Sequence, residues 1–476
     1  MSSDSAAATP TQGAPATYRS RGFSYWQWRI LISALIGYAL FYFVRKNLSV
    51  AMPVMETTLH IGKKQLGWFL TLHGLVYGVS KFLNGIVGDR VNARWFLVTG
   101  LVACALINIW FGLSATVFAF GILWMVNGWF QGMGFPPCAR LMTHWFSPRE
   151  FATKMAIWNS SHSLGAGLIF ILCGYLAPID WRLCFFVPAG IVLIGASILA
   201  VVLRDTPESL GFPPVEGTAD MKHDTERMSS ALRRLVFANP YIWLLSFANF
   251  FVYSVRYGIL DWGPTFLKEA RGIDLSNATW IIAAYEGAGL LGMLWGGWVT
   301  DRVFGGRAAR ACFFYMICCT GALVLFWKLP NQTWVSSTIL LCLLGFCIYG
   351  PQSLIGTAVA NLATKRAAAA AVGLTSIFGY LSTTLSGVGI GALVEHYSSD
   401  ANAAAFENMA LSTSSIAGVG GLISAAFTNR GMGVLASRQG WDAGFATFVV
   451  CSMFGVLIFA VCWGARAHGY EESSIE

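Results

Sequence analysis

Long apolar runs alternate along this chain with short polar ones, at a spacing that a lipid bilayer sets. Stretches of about 20 residues, the length that crosses a hydrocarbon core as a helix, recur near 30–52, 66–88, 95–114, 117–139, 155–178 and 183–203. Six more follow near 241–267, 278–300, 309–328, 335–359, 369–394 and 443–465, the last three blurred at their ends by Gly, Ser and Ala. The pattern predicts an all-α membrane protein of twelve transmembrane helices. Between the sixth and seventh runs the chain turns polar, with Arg204, Asp205, Pro207, Pro213, Pro214, Lys222, Asp224, Glu226, Arg227, Arg233 and Arg234. This divides it into six plus six: a disordered tail over 1–22, a six-helix bundle over 23–203, a linker over 204–240, a second bundle over 241–466 and a tail over 467–476. An insertion at 397–441 interrupts the second bundle and is expected to be extracytoplasmic; its Ser414–Phe427 part is small and apolar.

Composition agrees. Of 476 residues 56% are hydrophobic and 11% charged, too few charges for a surface wetted on all sides. The basic residues fix an orientation. With both tails and the linker in the cytoplasm, 19 of the 31 Lys and Arg fall on that side and 8 in the opposite loops. The formal charge of +8 then reflects topology and gives no reason to expect nucleic acid. Four cations remain inside apolar runs: Arg45, Lys46, Lys81 and Arg256. A cation there must be paired, hydrated or functional. The eleven Cys lie in or beside apolar runs with no metal or disulfide spacing, and the first 20 residues lack the charged and apolar regions of a cleaved signal.

The two halves repeat. Tyr42-Phe43-Val44-Arg45 matches Tyr253-Ser254-Val255-Arg256 at an offset of 211, and Gly85-Ile86-Val87-Gly88-Asp89-Arg90 matches Gly297-Trp298-Val299-Thr300-Asp301-Arg302 at 212. Matches at a common spacing argue for tandem repeats about an axis along the membrane normal. In the second motif glycine permits close helix approach, while Asp89, Arg90, Asp301 and Arg302 are gating candidates able to bond a neighbouring helix end.

Polar side chains form stripes within the spans. Tyr38, Tyr42 and Arg45 sit at i, i+4 and i+7 of the first, and Asn249, Tyr253 and Arg256 repeat this in the seventh. Under the tandem symmetry both faces meet between the halves near mid-membrane, so each half brings one arginine to a shared cavity. Guanidinium is a planar, permanently charged fork suited to phosphate oxygens. Other readings stay open at this point: Arg45 snorkelling outward, or Arg256 pairing with Asp261 or Glu286. The second span carries His73, Tyr77 and Lys81, with Lys81 either drawing anions inward or snorkelling. His162 in the fifth span is a ligand candidate or a helix-to-helix hydrogen bond, and Tyr349 and Tyr380 offer hydroxyls from the tenth and eleventh spans. The sequence holds no Walker-type loop, metal cluster or Ser/His/Asp constellation, so neither cofactor nor metal is expected, and the chain is not read as an enzyme.

These segments carry a resemblance: Gly37-Tyr38 through Tyr42-Phe43-Val44-Arg45-Lys46-Asn47, Tyr77-Gly78-Val79-Ser80-Lys81-Phe82, Gln131-Gly132-Met133-Gly134-Phe135-Pro136-Pro137-Cys138, and Tyr253 to Trp262. Together they resemble the organophosphate:phosphate antiporter family of the major facilitator superfamily, over nearly the whole chain except the first 20 residues and 397–441. The resemblance implies the major facilitator fold of two six-helix bundles in a bacterial inner membrane. It implies exchange of a small organophosphate for inorganic phosphate, with Arg45 and Arg256 as phosphate ligands, Lys81 and His162 assisting, and a monomer in the bilayer as the working unit. Members devoted to hexose phosphates can carry an Asp and a Lys in the eleventh span, whereas Thr375–Gly387 has no charge here; this leans toward glycerol-3-phosphate or another small phosphoester. Two rivals stand beside the antiporter: a sensor of the same fold that signals to a membrane partner, and a proton-coupled sugar or drug carrier protonated at Asp261 or Glu286.

Overall fold

The computed structural model describes residues 21–88, 90–215, 236–329, 333–397 and 440–464, and its α-helices are the only long elements among them. The two tails, most of the linker, the insertion and Asp89 lie outside the described residues. In the first half run α1 (Arg21–Phe43), α2 (Asn47–Leu59), α3 (Lys63–Gly88), α4 (Ala93–Leu113), α5 (Val117–Gln131), α6 (Phe135–Trp145), α7 (Pro148–Asn159), α8 (Ser161–Leu176) and α9 (Leu183–Val202). In the second run α10 (Pro240–Glu269), α11 (Leu275–Arg302), α12 (Ala308–Lys328), α13 (Trp334–Leu362), α14 (Thr364–Leu381), a π turn (Thr384–Gly389), α15 (Ile390–Tyr397) and α16 (Trp441–Val461).

Nine helical stretches among the described residues are long and apolar enough to cross a membrane. Three more complete the twelve. These are α3 with its three lysines, α5 continued by α6, and α11, which contains Glu286 and ends at Asp301-Arg302.

Four spans that read as single helices are built from pieces. The fourth breaks at Gly132–Gly134, where a Cβ on Gly132 would meet Ser80 Oγ at 2.2 Å and one on Gly134 would meet the Phe41 ring at 3.0 Å, so glycine lets α1 and α3 come close. The fifth divides at Ser160, and the eleventh passes through the π turn. The first stops at Phe43 and restarts at Asn47, although Val44-Arg45-Lys46 contains neither Gly nor Pro. Arg45 therefore leaves the helix that carries Tyr38 and Tyr42, and the expected single stripe of three does not hold. Its counterpart Arg256 stays inside the unbroken 30-residue α10.

Call the face that carries residues 21 and 464 the near face. The halves meet from the opposite, far face inward. There Lys63 Nζ pairs with Glu269 Oε1 at 3.1 Å and with Glu56, and the Lys64 amide donates to Glu395 Oε2 at 2.9 Å. Alongside, α8 packs on α11, with Ser276 Oγ donating to the Gly174 carbonyl at 3.1 Å and Trp280 Nε1 to Tyr175 Oη at 3.0 Å. The π turn lies against α3. Side chains of other helices bond its backbone: Thr71 Oγ1 donates to the Thr383 carbonyl (2.8 Å) and accepts from the Val388 amide (3.0 Å), the i, i+5 pair of the turn, while Trp262 Nε1 donates to the Ser386 carbonyl (2.8 Å). Nearer the middle, Tyr77 and Tyr380 meet edge to face at 4.8 Å, and Asn159 Nδ2 reaches Met293 Sδ at 3.7 Å. The halves are thus joined at the far side.

Closure there depends on close backbone approach. A Cβ on Gly67 would lie 2.6 Å from the Gly387 carbonyl oxygen and 2.8 Å from Val388 Cα, neither of which can swing aside. Gly67→Val is expected to hold the far face open. Transport in reconstituted vesicles should fall about tenfold or more, and thiols placed on α3 near Thr71 should label faster from that side; normal transport would show that the contact is not needed.

Candidate anion-binding site

Arg45 lies fourteen residues before the end of α2 at Leu59, and Arg256 thirteen before the end of α10 at Glu269. At 1.5 Å per helical residue both sit about 20 Å below the far face. Both are buried, with 9% and 3% of their surfaces exposed. The geometry that would have separated them, side chains directed into lipid or toward opposite faces, is not found.

A continuous file of rings joins the two. The Arg45 guanidinium lies over Tyr77 (4.2 Å) and near Tyr42 (5.4 Å). Tyr42 meets the His162 ring at 6.1 Å, His162 meets Tyr349 at 6.2 Å, and Arg256 Nη2 donates to Tyr349 Oη at 2.9 Å. His162 thus stands between the halves. Tyr38 packs on Tyr42 at 5.7 Å. Tyr253 sits one turn before Tyr257, its ring 5.3 Å away, and beside Gly379 of the eleventh span. Lys81 does not snorkel to the surface: it lies over Phe135 (4.1 Å) and donates to Tyr380 Oη at 3.4 Å. The ten residues expected to contact substrate therefore form one connected cluster.

The two arginines are held differently. No hydrogen bond or ion pair joins the Arg45 side chain to a described residue, so its donors are available while the aromatic faces steady the cation. Arg256 is pinned by Tyr349 and stands 3.9 Å from Glu286, whose two oxygens have no hydrogen-bond partner among the described residues.

Asp261 does not pair with Arg256. It takes Lys46 from the other half, Nζ to Oδ1 at 2.5 Å, and accepts from Ser49 Oγ at 2.9 Å. Lys46 is the functional residue that the sequence pattern undervalued. Its signal was present as one of four intramembrane cations, but on a continuous helix it would point about 100° away from Arg45. The break in the first span lets adjacent residues serve different partners. Tyr257, within 5.1 Å of Lys46 and 5.4 Å of Arg256, was also missed.

The gating candidates fare unevenly. Arg90, Asp301 and Arg302 are exposed at the near face. Beside that loop Arg140 donates to the carbonyls of Gly88 (3.1 Å) and Val91 (2.7 Å) and pairs with Asp205 at 3.3 Å, while Asp89 lies outside the described residues.

Counting charges around the cavity, Arg45, Lys46, Lys81 and Arg256 face Asp261 and Glu286, an excess of two positive charges. Among the described residues there is no group of His, Cys, Asp or Glu able to hold a metal ion. The arrangement can bind a doubly charged anion.

Two six-helix halves that enclose buried cations at their interface are the architecture of a membrane carrier, and residues 34–387 match the Major Facilitator Superfamily. The chain is 36% identical to the glycerol-3-phosphate transporter of Bacillus subtilis, over 92% of this chain and 93% of that one. It is 33% identical to a probable hexose phosphate transport protein of Chlamydia muridarum (95% and 94% covered) and 38% identical to the membrane sensor protein UhpC of Salmonella typhimurium (77% and 85%). The chain belongs to the organophosphate:phosphate antiporter family of that superfamily.

The Lys46–Asp261 pair is buried on both sides, so removing one partner strands the other charge. Lys46→Met is expected to destabilise the protein by about 3 kcal/mol. Adding Asp261→Leu should recover most of the loss; equal melting temperatures for single and double variants in detergent would show that the pair carries no such energy.

Proposed function

We propose that this protein exchanges a small organophosphate, glycerol-3-phosphate or a sugar phosphate, for inorganic phosphate by alternating access. It works as a monomer in a bacterial inner membrane with both termini cytoplasmic, the side favoured by its excess of Lys and Arg. The carrying observation is the pair of buried guanidinium groups, one per half, at one depth and joined through His162. A phosphoryl group near neutral pH bears close to two negative charges, matching the local excess of two positive ones.

In the empty carrier the guanidinium groups of Arg45 and Arg256 repel across the cavity. At an effective dielectric near 20 such repulsion amounts to a few kcal/mol at close range. A phosphoryl group entering from the near face takes the free donors of Arg45 and competes with Glu286 for Arg256. Bridged, the two cations attract a common partner, and the halves can close on the near side and part on the far side. Parting also breaks Lys46–Asp261 and Lys63–Glu269, so the bound anion must offset those ion pairs. An unloaded carrier has nothing with which to do so, and this makes exchange obligatory. Inorganic phosphate and organophosphate compete because both are gripped by the phosphoryl end, while the tyrosine hydroxyls are left for the organic part.

Arg45→Lys and Arg256→Lys keep the charge but lose the two-pronged donor. Each is expected to lower glycerol-3-phosphate uptake into phosphate-loaded vesicles by about 100-fold or more; uptake near the wild-type level in either would overturn the assignment. The likeness to a membrane sensor favours a second reading, in which the same site binds organophosphate and reports it. Binding of glycerol-3-phosphate or glucose-6-phosphate without exchange in those vesicles would decide for it. Uptake of unphosphorylated solute that collapses with an uncoupler would replace both by the proton-coupled carrier.

A further inference from the structure

The break that frees Arg45 has no local cause. Val44-Arg45-Lys46 has ordinary helix formers, and in a continuous helix the Val44 carbonyl would accept from the Leu48 amide. That bond is not made; just before it the Arg45 amide donates to the Tyr42 carbonyl three residues back at 3.3 Å, beside the ordinary helical bond from Lys46 at 3.0 Å. The Val44 carbonyl receives side-chain donors from neighbouring helices: Asn127 Nδ2 at 2.9 Å, Asn108 Nδ2 at 3.2 Å and Gln131 Nε2 at 3.3 Å. Gln131 Nε2 also donates to the Phe41 carbonyl at 3.0 Å. Asn47, the first residue of α2, donates to Asn108 Oδ1 at 2.8 Å and to the Cys184 carbonyl at 2.9 Å, locking the restart of the helix to α4 and α9. All four amides are buried.

An unpaired buried carbonyl is costly, and three amides converging on one far exceed what a passive core needs. Asn127 and Gln131 lie one turn apart on α5 and so share a face toward the break, while Asn108 arrives from α4. The second half has no such break, since Arg256 lies within α10 and is aimed by Tyr349 instead.

We propose that Asn108, Asn127 and Gln131 are positioning residues for the anion site: by holding the Val44 carbonyl out of helical register they aim Arg45 at the cavity and Lys46 across it to Asp261. This rests on reading Arg45 as a phosphoryl ligand. None of the three amides touches substrate. Their loss lets residues 44–47 relax toward continuous helix, turning the Arg45 guanidinium off Tyr77 and away from Arg256. Inorganic phosphate and glycerol-3-phosphate then weaken together, because both depend on the same fork.

The test is calorimetric binding of inorganic phosphate and of glycerol-3-phosphate to the purified full-length protein, alongside its ligand-free melting temperature. Asn127→Leu and Gln131→Met are expected to raise both Kd values by one common factor, about fivefold to tenfold. Gln131→His, which keeps an N–H donor, should restore most of the affinity. If Asn127→Leu does not yield folded protein, Gln131→Met decides, because it removes one donor where α5 already ends. A lowered melting temperature with unchanged Kd values would overturn the proposal, leaving the amides as packing alone. Arg45→Lys separates the two levels. If it leaves the phosphate Kd unchanged, the reading of the site fails; if it weakens binding while Gln131→Met does not, only the amide assignment fails.

Discussion

A guanidinium inside a bilayer cannot escape its charge by losing a proton, and this constraint organises the centre of the molecule. Each of the two arginines must be kept from lipid, given some compensation, and still left with donors to spare. Aromatic faces supply compensation without consuming hydrogen bonds, which is why Arg45 rests on Tyr77 and Tyr42. Arg256 takes a single hydroxyl and a carboxylate held just beyond hydrogen-bond reach. Both solutions leave guanidinium donors uncommitted among the described residues. A fully satisfied pair would be inert.

The duplicated architecture does not produce two equal half-sites. The first half supplies adjacent cations from an interrupted helix, one held by the faces of Tyr42 and Tyr77 and one paired with its partner bundle. The second supplies one cation from an intact helix, with Asp261 a little over one turn on to receive Lys46. Ion pairing across the interface and anion binding within it therefore spring from neighbouring residues on both sides. Any displacement of α10 against the first span moves the two together, so the state of one is felt by the other.

Much of this was legible in the sequence, for identifiable reasons. Twelve apolar runs and a polar middle are imposed by the bilayer, and a bilayer leaves few alternatives to helix. Arg45 and Arg256 stood out because intramembrane cations are rare, and the tandem offset said that they should meet. The pattern was blind to tertiary override. Nothing in Val44-Arg45-Lys46 announces a break, since its cause is three amides contributed by residues 108, 127 and 131, and so the allegiance of Asp261 to Lys46 was hidden as well. The π turn in the eleventh span was hidden for the same reason: its backbone is bonded by Thr71 and Trp262, far away in sequence.

That last contact has a consequence for how the halves can part. One hydroxyl, Thr71 Oγ1, belongs to the first bundle, yet it serves two main-chain groups of the second, the Thr383 carbonyl and the Val388 amide. Withdrawing α3 removes that hydroxyl from both at once and leaves the i, i+5 pair of the π turn to itself. Either water enters to replace the hydroxyl, or the wide turn tightens to an ordinary helical one and rotates α15 about its own axis. Separation at that face therefore exposes the winding of the eleventh span to water through a single hydroxyl of the other bundle.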